Sequence, residues 1–226
     1  MSTFQIKKLT PNIGAEIIGD NLFEDLSSSF SDEIYRTLIE NKVIFFRNQY
    51  ISNNEHIKFA KSFGDIESPH PVYPHVKNFP EIVLLENDES RPPDTDVWHT
   101  DVTFKPNPPF ASILYSKIIP SSGGDTLWAC LSSIYDALPN NIKKYLETLK
   151  AVHDMGDFRN TFVNNTAIGH AKKLNEGFIK FGSSIHQVIK THPITKKKLI
   201  YINPGFTNHI VGLNATDSNN LLNYLF

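Results

Sequence analysis

Nine of the fourteen prolines fall between residues 69 and 109, gathered at Pro69–Pro80, Pro92–Pro93 and Pro106–Pro109. Proline fixes φ and has no N–H, so it is kept out of helix interiors and central strands. The middle of the chain therefore reads as long, stiffened loops inside a domain, not as a linker between domains. No internal repeat or low-complexity tract breaks the pattern. With 226 residues, 40% of them hydrophobic and 20% charged, the chain can bury a sizeable core. That length suits one large domain or two small ones.

Around the loops the elements are readable. Residues 31–42 carry Ile34, Leu38 and Ile39 on one helical face. Ser52-Asn53-Asn54-Glu55 spells a capping box for a helix over 53–63, and Gly64 stands where a glycine would end it. Val43-Ile44-Phe45-Phe46 has the pattern of a buried strand. After residue 80 strands are expected at 81–86, 97–104, 110–118, 125–129, 185–191 and 198–203. A helical interval over 131–149 should break near Pro139. Residues 155–184 hold four glycines and show no clean period, which predicts a long loop. A last helix starts at Thr216 and presents Leu221, Leu222, Leu225 and Phe226. No capping glycine and no further element follow to cover that face, so the chain is expected to be cut short. The alternative is a terminal helix docked on the body.

Charge excludes some roles. Lys+Arg 22 against Asp+Glu 24 gives a net charge of −2, which argues against nucleic acid or an anionic membrane as main partner. The single cysteine, Cys130, rules out an intrachain disulfide and suits a reducing, cytoplasmic compartment. No signal peptide is readable, and no apolar run approaches the ~18 residues of a membrane span.

Nine histidines invite a search for metal ligands. There is no His-Glu-x-x-His and no paired cysteine. One pair stands out, in Trp98-His99-Thr100-Asp101-Val102-Thr103-Phe104. In a strand, residues i and i+2 project from one face, so His99 and Asp101 could grip one ion at adjacent positions. A His and a carboxylate are two members of the 2-His-1-carboxylate triad of non-heme Fe(II). About one His-x-acid pair is expected by chance in a chain of this composition. The competing reading is a surface strand with an accidental His and Asp. Trp98, Val102 and Phe104 give the segment strand character, and flanking proline loops often frame a site.

The segment resembles the iron-binding motif of the taurine dioxygenase family of Fe(II)/2-oxoglutarate-dependent oxygenases. His70-Pro71-Val72-Tyr73-Pro74-His75 resembles that family's substrate loop, and Ser122-Gly123-Gly124-Asp125-Thr126-Leu127-Trp128 its Gly-Gly-Asp-Thr segment. Asn203-Pro204-Gly205-Phe206-Thr207 and Ile210-Val211 resemble its late strand and turn. The likeness runs from about residue 4 to the last residue, in order.

The resemblance implies a single domain over residues 1–226, with a mainly β fold and flanking helices, a double-stranded β-helix (a cupin-like jelly roll), incomplete at its C-terminus. It implies Fe(II) as cofactor with His99 and Asp101 as ligands, and 2-oxoglutarate as cosubstrate with Thr126 on its distal carboxylate. His70 and Tyr73 would meet the sulfonate end of the substrate, and Val102 and Phe162 would line its pocket. Thr95 stands where the family carries an Asn, and a hydroxyl cannot reproduce an amide's donor–acceptor pair. The implied reaction is oxygenation of taurine or a related sulfonate with O2, releasing sulfite, succinate and CO2. Another sulfonate, a sulfate ester or a carboxylic acid is the alternative substrate. Members usually associate, so a homo-oligomer is implied.

In the family the third iron ligand and the cosubstrate's Arg follow the late helix. The chain is therefore expected to hold two ligands of three, and a truncated, inactive remnant is the competing reading. His186, His192 and His209 stand in no family motif and are not expected to complete the site.

Overall fold

The computed structural model describes residues 4–24, 26–67, 73–89, 97–156, 176, 179–180 and 182–226. β1 (Gln5–Lys8) and β2 (Ala15–Ile18) pair antiparallel, with Gln5 opposite Ile18 and Lys8 opposite Ala15. β3 (Ile44–Phe46) lies parallel to β2. Parallel neighbours need a crossover, and α1 (Ser28–Asn41) supplies it. Ser27 caps α1 by accepting from the Phe30 amide. α1 then lays Phe30 and Ile34 into a core with Phe4, Ile17, Phe23 and Phe59. Phe59, on α2 (Asn53–Lys61), is the hub of that core. Phe23, Phe63 and Phe46 meet its ring edge-to-face at 4.8, 5.0 and 5.9 Å. Such pairs add to plain area burial.

The capping box is formed in full. Ser52 Oγ accepts from the Glu55 amide at 3.3 Å, and the Ser52 amide donates to Glu55 Oε2 at 2.6 Å. Ser52→Ala leaves one end of α2 without its partner. It should lower stability by about 1 kcal/mol, read as a shift of the urea midpoint at unchanged slope. Gly64 lies two residues past the C-cap Ser62, at φ +141°.

The hairpin β4 (His75–Val76) and β5 (Phe79–Val83) turns through Asn78, whose φ is +67°. The second half of the chain then builds its own core. α3 (Leu131–Ala137) and α4 (Asn140–Leu146) flank the break at Pro139. β6 (Lys150–His153), β7 (Ser184–Gln187) and β10 (Thr207–Ile210) form an antiparallel sheet in the order β10-β6-β7. β8 (Ile189–Thr191) and β9 (Lys198–Ile200) pair beside it. The strand expected over 185–191 is therefore two. Val188, fully buried, is the crossing point: its N–H donates to the Leu149 carbonyl and its carbonyl accepts from the Tyr201 N–H. Each half pairs with a different strand, and no single strand could serve both.

Three expected strands form no ladder. Residues 101–104 make a turn, while 110–118 and 125–129 are in no strand among the described residues. Ile118 and Leu127 stand 91% and 70% exposed, so the apolar pattern there is not spent on burial. Helix α5 (Ala215–Leu225) starts where expected, with Asn214 accepting from the Asp217 amide. Its face is not left bare. Leu222 is buried, Leu221 and Leu225 pack on the second core, and Ser218 Oγ accepts from the Ile210 amide at 2.9 Å. The helix is thus docked on the body, while Tyr224 and Phe226 at its end stay exposed. Among the described residues no helix is long and apolar enough to cross a membrane.

Candidate metal centre

His99 and Asp101 sit on the approach to a tight turn over residues 101–104. The turn is closed by the Lys105 amide donating to the Val102 carbonyl at 3.0 Å. Val102 takes φ +48°, a conformation that a β-branched residue rarely adopts. The strand argument for the pair thus gives way to a turn, which delivers the same proximity. His99 Nε2 lies 3.4 Å from Asp101 Oδ1. Two donors at ~2.1 Å from one ion on adjacent octahedral positions stand about 3 Å apart, so the spacing fits a shared ion. His99 Nδ1 lies 3.0 Å from the Val97 carbonyl. A carbonyl only accepts, so Nδ1 carries the proton and Nε2 is left as the donor atom for a metal.

The two side chains are 35% and 60% exposed, open enough to be reached from solvent. Asp101 holds the His99 imidazole above its ordinary pKa through their hydrogen bond, with partial burial opposing and the Val97 carbonyl helping. A proton on Nε2 and an ion would take the same place, so protonation of His99 and metal binding compete. Among the described residues no third His, Cys, Asp or Glu joins them as a metal cluster. His186 bonds the Thr103 carbonyl, His192 Nδ1 accepts from the Ile194 and Thr195 amides, and exposed His209 meets Asn208. Among the described residues none of the three joins the pair. His99 and Asp101 fit a divalent cation as two of its ligands.

Of the other expected site residues, Tyr73 is half-buried just before β4, Val102 is at the turn itself, and Thr126 is exposed in the irregular segment after Gly124. His70, Thr95 and Phe162 lie outside the described residues, as does most of the 155–184 loop.

Sequence reasoning missed what lies under the turn. Thr103 and Phe104 are 0% and 1% exposed. Ser184 Oγ donates to the Phe104 carbonyl at 2.6 Å, and His186 Nε2 donates to the Thr103 carbonyl at 2.8 Å. His153 Nδ1 meets Thr103 Oγ1 at 2.9 Å, and Asn203 Nδ2 donates to the same oxygen at 3.3 Å. The one signal in the sequence was the Asn203–Thr207 motif, which carried no assigned role.

Residues 5–226 match the family described as "Taurine catabolism dioxygenase TauD, TfdA family". The chain is 38% identical to an alkylsulfatase of Acinetobacter baylyi, over 98% of this chain and 69% of that protein. It is 34% identical to an alpha-ketoglutarate-dependent sulfate ester dioxygenase of Pseudomonas putida, over 92% of this chain and 69% of that one. An alpha-ketoglutarate-dependent sulfonate dioxygenase of Saccharomyces cerevisiae is 29% identical, with 98% of this chain and 54% of that protein covered. Among solved structures, a taurine dioxygenase from Burkholderia xenovorans superposes with a TM-score of 0.77 at 31% identity. That match spans 99% of this chain and 71% of the other. The sheets and helices described above are thus part of the jelly-roll fold of such enzymes.

Proposed function

This chain belongs to the taurine catabolism dioxygenase TauD, TfdA family, and from that membership we propose that it serves oxygenation of a small sulfonate, taurine or a close relative, with release of sulfite. The family is one of 2-oxoglutarate-dependent dioxygenases, and Fe(II) and 2-oxoglutarate are its cofactor and cosubstrate. The observation that carries the reading is the His99–Asp101 pair, with its donor atoms 3.4 Å apart. Bound there, Fe(II) would activate O2 at the expense of 2-oxoglutarate, which leaves as succinate and CO2.

The chain's own residues do the rest. His99 presents Nε2 because Val97 holds its other nitrogen, and Asp101 brings the negative charge that offsets the cation. The Thr126 hydroxyl donates to the distal carboxylate of 2-oxoglutarate. By likeness to the family, Tyr73 and His70 are the residues assigned to the sulfonate, and Thr95, Val102 and Phe162 those assigned to the pocket. Residues 1–226 act as one domain in this reading. Oxygen balances with one atom in succinate and one on the substrate carbon that bears sulfur. A carbon bearing both hydroxyl and sulfonate expels sulfite and becomes an aldehyde, which from taurine is aminoacetaldehyde.

A second reading has an observation of its own. The 38% identity to an alkylsulfatase favours an alkyl sulfate, whose oxygenated carbon would release sulfate instead. The purified chain is incubated with Fe(II), 2-oxoglutarate, O2 and ascorbate, with taurine or hexyl sulfate offered separately. Sulfite formed with taurine, in step with succinate, is the expected result. Sulfate formed only with hexyl sulfate selects the second reading. Neither anion, with no substrate-dependent succinate from the folded chain, removes both.

A further inference from the structure

His153, His186 and the Asn203–Thr207 turn supply no metal donor, yet all converge on the segment that carries the ligand pair. Their hydrogen-bond roles can be assigned from acceptors that cannot donate. The Thr103 carbonyl fixes the proton of His186 on Nε2, and Nδ1 then accepts from Lys190 Nζ at 3.0 Å. Asn203 Oδ1 accepts from the Phe206 amide at 2.9 Å, so its Nδ2 is the donor toward Thr103 Oγ1. Thr103 is thereby tied at both ends, its carbonyl to β7 and its hydroxyl to β6 and the late turn. The next carbonyl, that of Phe104, is tied to β7 as well, through Ser184. Ser184 and His186 are alternate residues of one strand and so share its inward face.

The late turn also touches His99 directly. A Cβ built on Gly205 would stand 3.1 Å from His99 Cβ and 3.4 Å from Asn203 Oδ1. The bare face of the glycine is the floor under the ligand histidine. Phe206 beside it packs on Phe104 at 5.4 Å between ring centroids. The turn closes on itself, the Thr207 amide donating to the Asn203 carbonyl at 3.0 Å and the Asn203 amide to Thr207 Oγ1 at 2.9 Å. It is a stiff piece, not a flexible loop.

The need for such a support is visible at Val102. A β-branched residue at φ +48° persists only where its surroundings over-determine it. His99 and Asp101, largely exposed, cannot lock the turn themselves. We propose that Asn203, Gly205, His153 and His186 are positioning residues, which act through Thr103 and the His99 side chain to fix where the two metal donors stand. This rests on the reading of His99 and Asp101 as metal ligands.

The test uses the full chain and Mn(II) alone as probe, titrated by electron paramagnetic resonance. A second readout needs no metal: the imidazole 15N signals of His99 in long-range 1H–15N spectra. Thr103→Val removes the hydroxyl shared by His153 and Asn203 at nearly constant shape. It should weaken Mn(II) binding about tenfold, the low end of what outer-shell partners of metal ligands contribute. Thr103→Ser, which keeps the hydroxyl, should restore affinity to within about twofold of the parent. Gly205→Ala should shift the His99 signals and weaken Mn(II) several-fold. A loss of thermal stability accompanies any buried polar change, so the decision rests on affinity, spectrum and rescue by serine. Folded Thr103→Val and Gly205→Ala with parental affinity and unmoved His99 signals overturn the proposal, as does a serine variant no better than valine. If His99→Ala leaves Mn(II) binding intact, the ligand reading fails separately. The metal-free His99 signals then still decide whether the support positions that ring.

Discussion

His99→Ala should reduce the chain's affinity for Fe(II) or Mn(II) by more than about 100-fold, and Asp101→Ala should do the same. Outer-shell partners of a metal ligand cost 10–100-fold when lost, and removing a ligand from a pair costs more than disturbing one. Each variant would leave a single donor on an open turn, and one carboxylate or imidazole in water holds such cations weakly. The side chains are 35% and 60% exposed, and neither is part of a core, so folding stability should stay within about 0.5 kcal/mol of the parent. That separation makes the result diagnostic: metal lost, fold kept. Asp101→Asn refines it. The amide keeps an oxygen near the 3.4 Å contact but carries no charge. Affinity intermediate between parent and Asp101→Ala would show that charge and geometry both count. Calorimetric titration with Mn(II), beside a urea curve for each variant, reads both quantities. Parental affinity in His99→Ala would sink the assignment.

The His99–Asp101 pair is legible in the sequence through its i, i+2 spacing. The expectation placed it on a strand, where i and i+2 share a face. The structure places it at a turn, where Val102 at φ +48° does the same work. Spacing announced the proximity, but the backbone that produces it was not legible, because its causes are remote. The atoms that hold the turn come from His153, His186 and Asn203, 50, 83 and 100 residues from Thr103. No local pattern reports such contacts. Elements governed by local chemistry were legible: α2 by its capping box, the α3–α4 break by Pro139, α5 by its spacing. Residues 110–118 and 125–129 carry apolar, strand-forming residues but are in no strand among the described residues, and a ladder needs a partner as much as a propensity. The split at Val188 has the same origin, since its two partners, Leu149 and Tyr201, flank strands of different sheets, β6 and β9. Buried histidines are the hardest case. A sequence presents His153 and His186 as candidate ligands or surface residues, and only the enclosing structure shows them as neutral supports.

That neutrality has a measurable consequence in acid. His153 is fully buried, and burial, then the charges of His186 and Lys190, push its pKa down to about 3. Its Nε2 is enclosed with no hydrogen-bond partner among the described residues, so a proton added there has nothing to donate to. The groups facing the ring are His186 at 5.1 Å between centroids and Tyr201 stacked at 5.8 Å, with Lys190 Nζ lying 3.8 Å from the centre of the Tyr201 ring. None offers a negative charge, since burial raises Tyr201 to about 12 and burial also lowers the Lys190 and His186 pKa values. The unfolded chain therefore takes up the His153 proton first, near pH 6.5. Stability is full above that pH and falls as pH drops from 6.5 toward 3, by about 1.36 kcal/mol per unit from this residue alone. At pH 5 the loss is about 2 kcal/mol, which in urea is a midpoint lower by about 1 M. His186, His56 and His192, all lowered chiefly by burial, add slope of the same sign. His153→Asn keeps a nitrogen for Thr103 and removes the titrating group. Urea midpoints of parent and variant at pH 7.5, 6 and 5 should therefore diverge least at the lowest pH, the variant starting lower but losing about 2 kcal/mol less on the way down. Parallel acid limbs would mean that His153 is charged in the folded protein, and that the support beneath the ligand turn is ionic, not neutral.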